Sequence, residues 1–243
     1  TSAYQDLASA LPGVDETIAI RRRGEGFQQD IQQLVEHGSW DKIADLQGSV
    51  RSRRLVQALG SDDVLTDRPP RLRRSILLAT RVRIGQFMTV PDRMLKTLAP
   101  WNVCDDGGSL QLRVPDDVLQ SVSDMYGERI DNAIVLVPGA KHATKRWPDD
   151  YWRSLVDQLP VDPPLVVLGG EGEFPDSLRG VNEGRILDLT GNTSIIEAVA
   201  VLKMASLAIT GDTGPMHAAV AVGTPLVAMF GPTVREFGFY PYR

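Results

Sequence analysis

The second half of the chain contains five short apolar segments separated by helical stretches, and this alternation limits the possible folds more than any other feature. The segments cover residues 133–137, 165–168, 186–189, 207–210 and 226–230. Nearly continuous apolar runs of four or five residues are typical of parallel strands that are buried on both faces. Residues 116–243 are therefore predicted to form an α/β domain with a doubly wound parallel sheet.

The first half shows the same alternation less clearly. Helices are expected at residues 4–11, 27–36 and 51–59, and short strands at residues 17–20 and 42–46. The pattern opens on a helix, without the strand and glycine-rich turn that normally begin such a domain. We therefore expect an incomplete α/β domain over residues 1–115. Its boundary is placed near Pro115-Asp116-Asp117, where a proline and two acids favour the start of a helix.

Composition excludes several classes of protein. A single cysteine, Cys104, rules out an intramolecular disulfide framework and any zinc site built from several cysteines. No apolar run approaches the roughly 18–20 residues needed to cross a bilayer. Hydrophobic residues make up 42% of the chain and charged residues 23%, which is ordinary for a globular protein. A cytoplasmic protein is therefore expected.

The net charge of −5 is unevenly distributed. Residues 1–100 carry 15 Lys and Arg against 12 Asp and Glu, whereas the remaining residues carry 11 against 19. The basic excess of the first half lies in three arginine clusters: Arg21, Arg22, Arg23; Arg51, Arg53, Arg54; and Arg68, Arg71, Arg73, Arg74, Arg81, Arg83. Such clusters suit an anionic partner, such as a phosphate group or a membrane surface, or else form a solvated face. The acidic balance of the whole chain argues against a nucleic-acid partner.

The loops that follow the five predicted strands carry most of the unusual residues of the second half. These loops are residues 138–147, 169–173, 190–194, 211–217 and 231–233, and they are rich in glycine, hydroxyl groups and cations. The carboxyl ends of parallel strands meet at the same edge of a sheet, where the chain reversals open a crevice. The sequence therefore predicts a ligand site at this edge.

The fourth of these loops has the pattern expected of a phosphate site. It reads Gly211-Asp212-Thr213-Gly214 and is followed by Pro215, which suits the first turn of a helix. Glycines allow close backbone approach, and the unpaired N–H groups of a first helical turn suit a phosphate. His217 falls in that turn, where the helix dipole disfavours its charged form. The alternative is that Asp212 and Thr213 only cap the helix and His217 packs beside it.

Three further residues precede or follow these strands in informative places. Lys145 is a candidate to neutralise a diphosphate, and Glu171 a candidate to accept hydrogen bonds from a sugar hydroxyl; both could equally be surface residues. Trp147 is expected to anchor the following helix by packing. The chain lacks a P-loop, a G-x-S-x-G turn and an H-E-x-x-H motif, so neither a metal site nor a cofactor is predicted.

Four ordered segments resemble a known family. They are residues 135–152 (VLVPGAKHATKRWPDDYW), 166–171 (VVLGGE), 188–197 (DLTGNTSIIE) and 209–233 (ITGDTGPMHAAVAVGTPLVAMFGPT). They are similar to the C-terminal domain of glycosyltransferase family 9, the ADP-heptose:lipopolysaccharide heptosyltransferases. Residues 41–55 (DKIADLQGSVRSRRL) match the N-terminal domain of that family more loosely. Together the similarity covers most of the chain.

The resemblance implies an α/β fold of the GT-B type, with two Rossmann-like domains and the nucleotide-sugar donor on the C-terminal one. The family's donor-binding residues fall here on Thr144, Lys145, Glu171 (or Glu173), Thr193, Asp212, Thr213, Gly214 and His217. The implied reaction is inverting and needs no metal or other cofactor. A general base deprotonates an acceptor hydroxyl of the lipopolysaccharide inner core, which displaces ADP from ADP-heptose.

One departure from the family affects the expected activity. The family's catalytic base is an aspartate in a Gly-Asp turn after the first strand, and this chain begins downstream of that turn, so no base is assigned. We expect a piece lacking both ends, which binds ADP or an ADP-sugar weakly and turns over slowly or not at all. The anionic acceptor suits the basic first half, and peripheral contact with the inner face of the inner membrane is possible. Two alternatives stay open: another GT-B nucleotide-sugar enzyme such as an epimerase, and a non-catalytic binding protein.

Overall fold

The computed structural model of the chain describes residues 4–83, 85, 87–181 and 184–242. In these ranges the helices are α1 (Gln5–Ser9), α2 (Glu25–Glu36), α3 (Val50–Leu59), α4 (Arg71–Thr80), α5 (Val90–Leu98), α6 (Asp116–Tyr126), α7 (Asp149–Gln158), α8 (Ile195–Met204) and α9 (Gly214–Val222). The strands are β1 (Lys42–Asp45), β2 (Asp63–Thr66), β3 (Ile134–Val137), β4 (Leu165–Val167), β5 (Ile186–Asp188), β6 (Leu207–Gly211) and β7 (Leu226–Met229).

The chain divides into two compact units. Unit 1 contains Ile18–Gly108 and Arg235–Phe239, and unit 2 contains residues 4–17, Ser109–Val234 and residues 240–242. These limits cut the chain at other points than the predicted domains 1–115 and 116–243. The main difference is α1, which packs against α8 and is counted with unit 2. The predicted domain ranges stay predictions.

Unit 1 is built on one pair of parallel strands. β1 and β2 pair along all four residues of each strand, which confirms the strand predicted at residues 42–46. Residues 17–20, also predicted as a strand, have irregular backbone. In that segment the main-chain oxygen of Thr17 accepts the side-chain amide of Gln5 at 3.0 Å, rather than a strand partner.

Polar side chains fix the turn between β1 and α3. Ser49 accepts the N–H of Ser52 at 3.0 Å, and Ser52 accepts the N–H of Ser49 at 2.9 Å, which is a reciprocal capping box. The buried carboxylate of Asp45 accepts the N–H of Gly48 and the hydroxyl of Ser52, both at 2.9 Å. Further along the chain, buried Asp67 accepts the Nε of Arg93 on both carboxylate oxygens, at 2.9 and 3.0 Å. Unit 1 therefore depends on buried polar contacts.

Unit 2 contains a five-stranded sheet with the order β5-β4-β3-β6-β7, in which every neighbouring pair is parallel. The chain moves outward from β3 through β4 to β5, and then returns to place β6 on the other side of β3. This confirms the doubly wound sheet predicted from the sequence. The reversal between β3 and β6 is the place where such sheets open a ligand crevice.

Both faces of this sheet are covered, as the apolar strands predicted. Val135 and Val137 of β3 pack in one core cluster, to which α6, α8 and α9 contribute. Ile134 and Leu136 point to the opposite cluster, where Trp152 of α7 is buried. Because successive residues of β3 serve different cores, the strand is apolar at every position.

Candidate functional site

Three loops of unit 2 bring polar side chains together at the carboxyl edge of the sheet. Lys145 ends a short 3-10 turn (Ala143–Lys145) in the loop after β3, and Asp212 directly follows β6. The Nζ atom of Lys145 lies 2.6 Å from Oδ2 of Asp212 and donates to its main-chain oxygen at 3.3 Å. Asp212, 5% exposed, also accepts the hydroxyl of buried Thr233 at 2.6 Å. We call these three residues the Lys145–Asp212–Thr233 cluster.

The helix start beside this cluster is open to a ligand. Thr213 is the N-cap residue of α9, and its side chain makes no capping hydrogen bond. The carboxylate of Asp212 is engaged by Lys145 and Thr233. Neither side chain therefore makes the capping hydrogen bond that the alternative expects. The N–H groups of a first helical turn lack partners within the helix, so this end of α9 suits an anion.

Glycine allows the two loops to approach each other. A Cβ atom placed on Gly211 would lie 3.1 Å from the main-chain oxygen of Lys145, which is tighter than ordinary packing. The absence of a side chain at Gly211 therefore allows the backbone of the loop after β3 to approach closely.

A cavity of about 510 Å³ lies against the cluster. Its polar lining residues include two lysines and are Lys141, His142, Lys145, Glu173, Thr193, Ser194, Asp212, Thr213 and Gly214. Its apolar part is lined mainly by Leu168, Ile195, Ala198, Val199 and Leu202. A cavity with one apolar part and a few convergent polar groups is typical of a small-molecule site.

The structure brings Glu173, and not Glu171, to this cavity. Oε2 of Glu173 accepts the N–H of Gly170 at 2.7 Å, and the carboxylate fills the space where Gly139 lacks a side chain. Glu171 is exposed at the tip of the turn and is not among the lining residues that the structure describes. The turn closes with the N–H of Glu173 donating to the oxygen of Gly170 at 3.2 Å, so the chain folds back toward the strand end. Of the two glutamates that the resemblance allowed, Glu173 is therefore the one that lines the cavity.

The other predicted residues divide into two groups. Lys145, Thr193, Asp212, Thr213 and Gly214 line the cavity. Thr144 and His217 are not among its described lining residues. Thr144 is exposed. A Cβ atom placed on Gly231 would lie 2.6 Å from the main-chain oxygen of Thr144, so glycine is required at position 231 for this close approach. Sequence reasoning did not single out Thr233; the signal for it was its place in the loop after the fifth strand.

His217 is held in its neutral form. Burial lowers the pKa of its imidazole, and the nearby charge of Lys145 lowers it further, while Asp212 acts in the opposite direction. This direction favours the predicted neutral form, and its first cause is loss of hydration rather than the helix dipole. A neutral imidazole beside the cluster adds no positive charge to it.

Packing holds the loop after β3 in place. Trp147 makes edge-to-face contacts with Trp152 and Tyr151, with ring centroids 5.1 and 5.6 Å apart. Arg146 donates from Nε to the main-chain oxygen of Ala140 at 2.7 Å. The predicted packing role of Trp147 is confirmed, and Lys145 directly precedes these two anchored residues.

Unit 1 has a separate, strongly basic cavity of about 920 Å³. Four arginines line it, Arg22, Arg23, Arg51 and Arg54, and Glu25 is the single acid among its described lining residues. Arg21 is engaged elsewhere: it pairs with Asp30 at 2.6 Å, and its hydrogen bonds lower the pKa of that carboxyl. The first two arginine clusters therefore meet at one concave surface.

Two negative findings concern the described part of the chain. It contains no group of three or more His, Cys, Asp or Glu side chains placed to hold a metal ion. None of its helices combines the length and the apolar character needed to cross a membrane.

The parallel sheets, together with a polar cluster at the reversal point, define an α/β protein of the GT-B type with Rossmann-like topology. The family model for glycosyltransferase family 9 (heptosyltransferase) matches residues 30–242, and the chain belongs to this family.

Curated relatives agree with this assignment. Lipooligosaccharide heptosyltransferase 2 of Haemophilus influenzae is 31% identical over 125 residues, which is 46% of this chain and 34% of the relative. The chain thus matches about a third of that relative's length. Lipopolysaccharide heptosyltransferase 1 of Pseudomonas aeruginosa is 25% identical over 266 residues, covering 95% of this chain and 68% of the relative.

Solved structures share the fold. A glycosyltransferase family 9 protein from Veillonella parvula superposes with a TM-score of 0.80 at 19% identity, covering 99% of this chain and 73% of that one. An Escherichia coli heptosyltransferase solved with ADP superposes with a TM-score of 0.68 at 19% identity, covering 98% and 78%.

Proposed function

We propose that this protein is a heptosyltransferase that moves heptose from ADP-heptose to an anionic sugar of the lipopolysaccharide inner core, with inversion and without a metal. Family membership and the names of the relatives support the proposal. The single observation that carries it is the Lys145–Asp212–Thr233 cluster beside the open start of α9. It places one cation and a helix N-terminus on the wall of a cavity with an apolar part.

The diphosphate of the donor is assigned to Lys145 and the first turn of α9. Negative charge grows on the diphosphate as the glycosidic bond breaks, so fixed positive groups there gain strength in the transition state. Asp212 acts as a positioning residue: it is buried, bonded to Thr233, and holds the Lys145 ammonium in place. A held cation needs little rearrangement during the reaction.

The rest of the donor is assigned to the other lining residues. Glu173 and Thr193 offer acceptor oxygens for ribose or sugar hydroxyls, and the apolar part of the cavity suits the base. Thr144 and Glu171, in the loops, and His217, in the first turn of α9, are assigned supporting roles, because they are not among the described lining residues.

The acceptor is assigned to the basic cavity of unit 1. Arg22, Arg23, Arg51 and Arg54 offer forked guanidinium groups, which match carboxylates and phosphates in two-point hydrogen bonds. The inner core of lipopolysaccharide is rich in both groups. The assignment uses the charge of this surface alone.

No catalytic base is assigned among the described residues. The aspartates buried in unit 1 are bonded within the fold: Asp30 to Arg21, Asp45 to the turn before α3, and Asp67 to Arg93. Because these three carboxylates are engaged within the fold, none of them is proposed as the base. We expect residues 1–243 to bind donor but to turn over slowly or not at all.

We further propose that the protein acts in the cytoplasm, at the inner face of the inner membrane. The lone Cys104 is a free, exposed thiol, which is compatible with a reducing compartment. The acceptor class, a membrane-bound glycolipid, supports a peripheral membrane position.

Calorimetric titration with ADP tests the donor site. We expect Lys145→Ala to weaken ADP binding about 10- to 100-fold, the usual loss for a hydrogen bond to a charged group. Lys203→Ala, at the exposed end of α8, is the matched control and should bind like the parent. Glu173→Gln should weaken binding of an ADP-sugar, whereas Glu171→Gln should not. An unchanged affinity for Lys145→Ala would reject the site and favour a non-catalytic interaction protein.

Product analysis with ADP-heptose separates the two enzyme classes. A transferase releases ADP together with a heptosylated acceptor, whereas an epimerase returns an isomer of the intact nucleotide-sugar. Because slow turnover is expected of residues 1–243, we expect any product formed with a truncated lipopolysaccharide to be ADP and a heptosylated acceptor, in small amounts. Accumulation of an isomer without released ADP would reject the transferase proposal.

A further inference from the structure

The helix α4 of unit 1 exposes the side chains that a soluble helix normally buries. Leu72 is 74% exposed and Leu78 is 67% exposed, and Val82, just after the helix, is 55% exposed. Leu72, Ser75, Leu78 and Ala79 fall on one side of the helix, and all four are exposed. Ile76 and Leu77, the other large apolar residues of the helix, are half-buried. The helix therefore buries part of its apolar surface, while Leu72 and Leu78 face solvent.

The half-buried face also fixes α4 in unit 1. Arg74 donates from its guanidinium to the main-chain oxygen of Phe237 at 2.9 Å. The same guanidinium lies over the rings of Phe237 and Phe239, 5.7 and 5.3 Å from their centroids. The Nη2 atom of Arg74 is thus bonded on the inner side, whereas its Nε is buried without a hydrogen-bond partner. The contacts with Phe237 and Phe239 hold α4 in the orientation that exposes Leu72 and Leu78.

The exposed face lies in a segment of a single charge. Residues 68–91 contain six arginines and no aspartate, glutamate or lysine. Arg83 pairs with Glu236, and Arg74 is used as described. Among the described residues, the guanidinium groups of Arg71 and Arg81 form no ion pair or side-chain hydrogen bond, and both residues are exposed. The surface therefore offers uncompensated positive charge next to exposed leucine.

We propose that this surface, formed by Leu72, Leu78, Val82, Arg71 and Arg81, docks on an anionic lipid bilayer. Apolar side chains flanked by arginines fit the boundary between headgroups and acyl chains, where the leucines leave water and the arginines meet phosphate. Each arginine near an anionic surface strengthens binding about fivefold, and each buried leucine about tenfold or more. The contact is short, so binding is reversible.

Charge complementarity favours lipid over the other possible partners. A protein surface that met this helix would have to be purely acidic and apolar, because the segment has no acid to pair with a partner's cation. A bilayer of anionic lipid provides both properties at once. The basic cavity of unit 1 is a different surface, lined by residues of α2, α3 and their flanking loops. Docking through α4 deepens the peripheral membrane position proposed above, and it uses no residue of the donor cavity or of the basic cavity.

Vesicle flotation of residues 1–243 tests the proposal. The probes are vesicles of phosphatidylcholine mixed with phosphatidylglycerol, and vesicles of phosphatidylcholine alone. We expect binding to the anionic vesicles, weakening as salt is raised, and little binding to the neutral ones. Leu72→Gln/Leu78→Gln should reduce the vesicle affinity at least tenfold, and Arg71→Gln/Arg81→Gln about tenfold or more.

Two control variants make the result specific. Val161→Gln changes an equally exposed residue of unit 2, 74% exposed, and should bind vesicles like the parent. Arg22→Gln/Arg54→Gln removes two charges from the basic cavity and should lower vesicle affinity less than the α4 variants do. Circular dichroism and thermal unfolding of every variant verify that both units are folded.

Three outcomes would overturn the proposal. The first is absence of binding to the anionic vesicles. The second is a leucine double variant that floats like the parent while Arg22→Gln/Arg54→Gln does not, since the basic cavity would then hold the membrane. The third is concentration-dependent self-association that Leu72→Gln/Leu78→Gln abolishes, without vesicle binding, since the face would then meet protein.

Discussion

Unit 1 and unit 2 have related topology but bury different kinds of side chain. Among the described residues, Phe27 and Leu34 are the only fully buried hydrophobic residues of unit 1, and α3, α4 and α5 contain none. In unit 2 all four residues of β3 are buried. Unit 2 is therefore stabilised mainly by apolar packing, and unit 1 depends more on buried polar contacts such as Asp67 with Arg93. The same alternation of strands and helices thus leads to two different sources of stability.

The largest expected effect comes from the core of unit 2. Leu136→Ala deletes a side chain that is 0% exposed at the centre of the sheet, and it should lower the free energy of unfolding by about 3 kcal/mol. Leu77→Ala, in half-buried surroundings on α4, should cost about 1 kcal/mol. Urea unfolding followed by circular dichroism measures both. Equal losses would mean that unit 1 has as tight an apolar core as unit 2.

The next effect isolates the polar stability of unit 1. Asp67→Ala leaves the Arg93 guanidinium without its buried partner, and we expect a loss of about 2–3 kcal/mol confined to unit 1. Amide hydrogen exchange should accelerate in β2 and α5 and stay unchanged in β3 and β6. The double variant Asp67→Ala/Arg93→Ala should recover part of the loss. Faster exchange throughout unit 2 would contradict the separation of the two units.

A smaller effect is expected from removing a helix cap, which can be compared between the two units. Ser49 begins α3 and Ser194 begins α8, each in a reciprocal capping box. Ser49→Ala and Ser194→Ala should each cost about 1 kcal/mol. We expect the larger loss at Ser49, because its partner Ser52 also donates to buried Asp45. Thermal unfolding of the two variants, compared with the parent, gives the difference directly. A larger loss at Ser194 would contradict this expectation, because it would show that the contact of Ser52 with Asp45 adds nothing to the effect of the cap in unit 1.

The smallest effect concerns the pH dependence of unit 2. Burial lowers the pKa of His217 below its usual 6.5, so the unfolded chain binds this proton more readily than the folded one. Its contribution to stability is complete above pH 6.5 and declines as the pH falls toward the lower pKa of the folded protein. His217→Gln should flatten this decline in thermal unfolding. His142→Gln, which changes an exposed histidine, should leave it in place.

Unit 2 was predictable because local and global signals agree there. The strands are largely apolar, and the loops that follow them carry glycine, hydroxyl groups and cations, so the sequence alone places Lys145 and Asp212 at the same edge of the sheet. The choice between Glu171 and Glu173 depended on how one turn closes, which the spacing does not encode. Thr233 has no pattern of its own and acquires its role by contact with Asp212.

Unit 1 was less predictable for a physical reason. Its strands β1 and β2 are four residues long and lie beside polar contacts rather than in a deep core, so periodicity carries little information there. Val64 and Leu65 alone suggest β2, and that strand was not expected. Leu72 and Leu78 of α4 are spaced as apolar residues of a helix are, but this spacing does not indicate whether they face the core or the solvent.

The ion pair between Lys145 and Asp212 changes the character of the crevice before any ligand arrives. The ammonium is already neutralised by a carboxylate that Thr233 keeps in place, so an incoming anion has to compete for a shared proton donor instead of filling a vacant charge. Such competition rewards a ligand that brings several negative oxygens at once and gives a weakly charged one little advantage. The ion pair between Lys145 and Asp212 therefore makes the crevice selective for ligands with several negative oxygens.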